Sequence, residues 1–118
     1  MFIDTHSHLY LGELANHIPE AIEHLKSENF SHSIQIGTSL ETSRKCIELA
    51  RSYDIVRATV GVHPCEAQDI DVVEIPAQIE ALEKMIIENL PPDSPLRRGA
   101  ESDDKIWGVG QTGGKEKE

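Results

Sequence analysis

The chain has 118 residues, 38% hydrophobic and 4% aromatic, with a formal net charge of −10. That is sequence for one domain with a real core, and the apolar share fits an α/β protein rather than a disordered chain. Six acids and no Lys or Arg between Ala58 and Glu83 speak against coating nucleic acid through a basic footprint, but not against an enzyme that meets phosphate through a bound cation, which inverts the local sign.

The stretch Phe2-Ile3-Asp4-Thr5-His6-Ser7-His8-Leu9 reads as a strand. Alternation along a strand puts Asp4, His6 and His8 on one face. Two imidazoles two residues apart at the end of a buried strand can grip one metal ion, and an acid below them is placed to hold a ring N–H and fix its tautomer. Two surface histidines near a terminus would give the same letters, so the rest of the chain has to decide.

Tyr10 to His17 reads as a loop. Ile18, Ala21, Ile22 and Leu25 then follow helical spacing, with Pro19 suited to a first turn. His24 inside this helix and His32 just after it are expected to be exposed. Ser33 to Gly37 is a short second strand. Thr38 and Glu41 spell a T-x-x-E capping box that opens a helix through about Tyr53, with Cys46, Ile47, Ala50 and Tyr53 as its apolar stripe. Ile55 to Val62 is a third strand, rich in β-branched residues. It runs into His63-Pro64, where proline stops the ladder and leaves His63 at the strand's C-terminal end.

A third helix carries Ile75, Ile79, Leu82, Ile86 and Leu90 on one face, with Pro76 in its first turn. Pro91 to Asp104 reads as a loop, Ile106 to Gly110 as a fourth strand, and residues 114–118 as a low-complexity tail. No bilayer-spanning stretch and no secretory leader are read. Cys46 and Cys65 form no paired motif, so a reducing cytoplasm is expected and Cys46 is expected to be a small core residue.

This alternation implies parallel strands with right-handed crossovers, which fits a doubly wound sheet or a (β/α) barrel. His-Ser-His-Leu stands where a Gly-rich phosphate loop would follow the first strand of a nucleotide-binding sheet. His6, His8, His63 and Gln111 instead fall at strand C-termini, where barrel enzymes place their chemistry. The expected fold is therefore the N-terminal (βα)3β portion of a TIM-type barrel, four parallel strands and three helices over residues 1–113.

Ile-Asp-Thr-His-Ser-His-Leu at 3–9, Val-Gly-Val-His-Pro at 60–64 and Gly-Val-Gly-Gln-Thr-Gly at 108–113 together resemble the TatD family of metal-dependent deoxyribonucleases. The resemblance implies a barrel holding one or two divalent metal ions (Mg, Mn or Zn) that activate water to cleave phosphodiester bonds in DNA. Carried over residue by residue, it implies His6 and His8 as metal ligands, and Asp4 and His63 as residues that contact substrate or support the ligands. Cys65 stands where the family usually has a second histidine. Gln111 stands where the family has a metal-bridging glutamate; an amide oxygen can touch a hard cation but brings no charge.

Such barrels need about 250 residues, and the family takes two more histidines and an aspartate from later strands. These 118 residues are therefore expected to be a truncated barrel, inactive alone, with no catalytic acid or base of its own and with open sheet edges prone to self-association. Two other classes stay open: an amidohydrolase-type enzyme acting on a small amide or ester, and a non-catalytic remnant that binds a partner.

Overall fold

A computed structural model describes residues 1–95. Three strands, β1 (Phe2–Ser7), β2 (Phe30–Ile36) and β3 (Val56–Thr59), form one parallel sheet in the order β1-β2-β3. Helix α1 (Ile18–Ser27) connects the first pair and α2 (Leu40–Ser52) the second; α3 (Pro64–Ala67) and α4 (Ile75–Asn89) follow β3. Two 3-10 turns lie at Gly12–Asn16 and Val72–Glu74. Three parallel strands and four helices are consistent with part of a TIM-type fold. The expected fourth strand over 106–110 and the expected tail over 114–118 lie outside the described residues, as does Gln111. No helix among the described residues is long and apolar enough to cross a membrane.

The described residues divide into two units, Met1–Ile86 and those from Ile87 on. The first holds the sheet and its two connecting helices. In the second, beyond the end of α4, the Ser94 N–H donates to the Pro91 carbonyl at 3.0 Å.

The core lies where α1 and α2 meet the sheet: Ile22 from α1, Cys46 and Leu49 from α2, Val56 from β3, and Leu9 and Tyr10 from the segment after β1. Ile22 is 1% exposed, a burial that contributes about 1.5–3 kcal/mol. The helix starts with proline in its first turn, as its sequence implies, and ends at Ser27 with Glu28 as its C-cap, after which Asn29 takes a positive φ of 64°. Asparagine tolerates that left-handed conformation better than other side chains. His24 is exposed as expected; His32 is only half-buried, its ring 3.1 Å from the Arg57 guanidinium.

The start of α2 differs from the expected box. Ser39, not Thr38, is the cap, and Thr42, not Glu41, is the reciprocal residue. The Thr42 hydroxyl accepts from the N–H groups of Thr38 (2.8 Å) and Ser39 (2.9 Å). Glu41 turns outward to Lys45 at 2.9 Å, so a short hydroxyl takes the donors that a glutamate would otherwise have satisfied.

Strand β3 stops at Thr59, short of the expected Val62, because a serine removes the next backbone groups from the ladder. The buried Ser43 hydroxyl accepts from the Gly61 N–H (3.1 Å) and donates to the Gly61 carbonyl (3.3 Å). Gly37 passes under the same hydroxyl: a Cβ there would stand 2.4 Å from Ser43 Oγ and 2.8 Å from the Thr59 carbonyl. On α4, the expected stripe is not the buried face at the helix start, since Ile75 and Ile79 are 41% and 56% exposed while Met85 is buried. Periodicity defines a face but not what covers it.

Gly37→Ala should lower stability by about 1–3 kcal/mol, as overpacking against backbone does, and urea unfolding measures it; an unchanged midpoint would contradict the close approach. Burial pushes the Cys46 thiol up from 9.0 to about 11 by desolvating its thiolate, while Cys65 is exposed. A thiol reagent should therefore label Cys65 in the folded protein and Cys46 only on unfolding. The unfolded chain loses the Cys46 proton first, so stability should fall as pH rises from about 9 to about 11.

Candidate metal centre

The site is built on the C-terminal end of β1 and on the residues of β2 that hold it. Pairing between the two strands is irregular: Asp4 pairs with Ser33 and Ser7 with Gln35. Three steps along β1 against two along β2 cannot keep a strict two-residue alternation, which is the signature of a bulge. The Asp4 carboxylate occupies this irregularity, its Oδ1 accepting from the His6 backbone N–H at 3.1 Å. Asp4 thus shapes the main chain at His6.

Beyond Ser7, β2 takes hold of the chain. Gln35 and Ser33 are fully buried on one face of β2. Gln35 Oε1 accepts from the Leu9 N–H at 2.7 Å, and its Nε2 donates to Ser33 Oγ at 2.9 Å. Replacing the amide by an apolar group would leave the Leu9 N–H buried and unpaired, a cost of about 1–3 kcal/mol. One residue on, the Tyr10 hydroxyl donates to the Ile36 carbonyl. Leu9 and Tyr10 are both buried, so the segment carrying His8 is held by packing and by two hydrogen bonds to the last two residues of β2.

His6 and His8 converge as a result. Their Nε2 atoms lie 3.2 Å apart, with the rings nearly edge-to-face at 78° and centroids 5.0 Å apart. Two nitrogens bound to one tetrahedral ion at about 2.0–2.1 Å would lie about 3.3–3.4 Å from each other, so the pair fits a shared divalent ion with little movement. His6 is exposed and His8 half-buried, which leaves the nitrogens accessible. The other nitrogen of His8, Nδ1, lies 2.9 Å from the Tyr10 hydroxyl. Among the described residues no group of three or more His, Cys, Asp or Glu side chains could hold an ion; His6 and His8 bring two nitrogens together without a third such side chain.

His63 occupies a different role. It follows β3 at the same end of the parallel sheet as His8. Its backbone N–H donates to the Thr38 carbonyl (2.8 Å), and its Nδ1 accepts from the Cys65 N–H (3.1 Å), capping α3. An accepting Nδ1 means that the neutral ring carries its proton on Nε2. His63 therefore offers a hydrogen-bond donor from an exposed position rather than a lone pair for a metal. Cys65 is exposed beside it.

Gln35 and Tyr10 are the supporting residues that the sequence reading passed over. Tyr10 had a legible signal, since it continues the spacing His6, His8, Tyr10, but it falls in a segment read as loop. Gln35 lies in a strand whose other face holds Ile34 and Ile36, so hydropathy alone suggests that Gln35 faces water.

The family model described as TatD related DNase matches residues 3–114. The uncharacterized metal-dependent hydrolase MG009 of Mycoplasma genitalium is 32% identical over 89 residues, covering 75% of this chain and 32% of that protein. The uncharacterized metal-dependent hydrolase YabD of Bacillus subtilis is 28% identical over 88 residues, covering 73% of this chain and 34% of that protein. The chain thus matches about a third of the length of these curated relatives.

Proposed function

This chain belongs to the TatD related DNase family, and on that footing we propose that it serves metal-dependent hydrolysis of phosphodiester bonds in DNA. The observation that carries the reading is the convergence of the His6 and His8 Nε2 atoms, 3.2 Å apart, at the C-terminal end of a parallel sheet. Both relatives carry the name metal-dependent hydrolase, which fits a divalent cofactor: Mg, Mn or Zn, one ion or two.

When bound, such an ion lowers the pKa of its water and polarises a phosphoryl oxygen. The chain's own contributions are positional. His6 and His8 would hold the ion, with His8 fixed by Tyr10 and the main chain at His6 shaped by Asp4. His63, with its proton on Nε2, is suited to donate to an anionic oxygen of the substrate, as phosphate contacts commonly require. The acidic balance of the chain makes a cation, rather than a lysine or arginine patch, the natural attraction for phosphate here.

The test is metal content after dialysis, followed by an assay for divalent-dependent cleavage of DNA. The wild-type chain should retain zinc or manganese, and His6→Ala combined with His8→Ala should release it. Any DNA cleavage should vanish with the ion and with a chelator. A wild-type chain that binds no divalent metal would remove the proposal, and metal-dependent cleavage of small amides or esters without cleavage of DNA would move it to an amidohydrolase activity.

A further inference from the structure

We propose that Tyr10 is a positioning residue for the metal site, setting the tautomer of His8 so that its Nε2 lone pair faces His6. The inference concerns the site proposed above and extends it to a residue outside the ligand pair. It rests on counting protons through a chain of three contacts. A backbone carbonyl only accepts, so the contact between the Tyr10 hydroxyl and the Ile36 carbonyl uses the one proton that the hydroxyl has. The same oxygen lies 2.9 Å from His8 Nδ1. With its proton committed to Ile36, it can only accept there, so His8 Nδ1 is the donor. A neutral imidazole that carries its proton on Nδ1 has its lone pair on Nε2, and that nitrogen is the one 3.2 Å from His6 Nε2.

The geometry around Tyr10 makes this assignment rigid. The side chain is 7% exposed and belongs to the core with Leu9, Ile22 and Val56. Its ring stands nearly perpendicular to that of His8, at 87° with centroids 5.7 Å apart. The adjacent Leu9 N–H is fixed by Gln35, which holds the backbone that carries the phenol beside Ile36. The end of β2 is thereby connected, through one phenol, to the protonation pattern of a candidate ligand. Metal-binding histidines commonly donate their second ring N–H to an oxygen that orients the ring and raises its basicity. Here a buried tyrosine takes that place, whereas Asp4 Oδ1 accepts from the His6 main chain.

The experiment has two readouts. Long-range 15N–1H correlation on the metal-free wild-type protein, at about pH 8 where an ordinary histidine is neutral, should show His8 protonated on Nδ1. Protonation on Nε2 instead would overturn the proposal, without bearing on whether metal binds. Zinc or cobalt titration should then show Tyr10→Phe, which keeps the ring and loses only the hydroxyl, binding about 10–100-fold more weakly than wild type. The variant's His8 should also lose its single tautomer. Equal affinity and an unchanged His8 tautomer in a folded Tyr10→Phe protein would assign Tyr10 to packing alone and contradict the proposal. If the variant does not fold, the wild-type tautomer still decides. If wild-type protein shows the Nδ1–H form but binds no metal, the metal reading fails while the tautomer assignment stands.

Discussion

The arrangement depends on the end of β2 holding the segment that follows β1. Gln35 takes the Leu9 N–H and the Ile36 carbonyl takes the Tyr10 hydroxyl, and these two hydrogen bonds bracket the chain just past His8. The first is buried and the second partly so, and a buried partner left unpaired is costly. Held this way, His8 cannot drift from His6, and two flexible-looking residues near the N-terminus become a preorganised pair. The polar residues buried at this end of the sheet are thus the means by which a strand positions its neighbour's chemistry.

The same device recurs between β3 and α2. Ser43 satisfies both backbone groups of Gly61, ending β3 early and freeing the chain to turn into His63 and α3. Gly37 leaves room for that serine. His63 is then fixed at both ends, through its N–H to Thr38 and through its ring to Cys65. His8 and His63 therefore reach the same end of the sheet by similar routes, each leaving a strand and each tied down by hydrogen bonds to an adjacent element. Their ring protons differ for a stated reason: Tyr10 accepts from Nδ1 of His8, whereas the Cys65 N–H donates to Nδ1 of His63. One ring is prepared to offer a lone pair and the other a proton.

Much of this was legible in the sequence. The alternation of strand and helix, the three strands up to Thr59, the start of α1 and the burial of Cys46 all follow from apolar spacing and turn residues. The spacing of His6 and His8 suggests a pair, which the rest of the chain is needed to tell from two surface histidines. The failures were local and have physical causes. The bulge between Asp4 and Ser7 depends on a pairing register that no single strand displays. The cap of α2 moved by one residue because Ser39 and Thr42 satisfy the same donors with shorter side chains. The end of β3 depends on Ser43, eighteen residues before the Gly61 that it holds. Gln35 was hidden because a polar letter in a strand reads as exposed until its partners are known.

The central claim is that the Nε2 atoms of His6 and His8 hold one divalent ion. The most direct measurement is anomalous diffraction from crystals grown with zinc or manganese. The account predicts a peak within about 2.0–2.2 Å of both Nε2 atoms, with His8 Nδ1 still against the Tyr10 hydroxyl. No peak at the pair, or a peak only at another group such as the exposed Cys65, would contradict it.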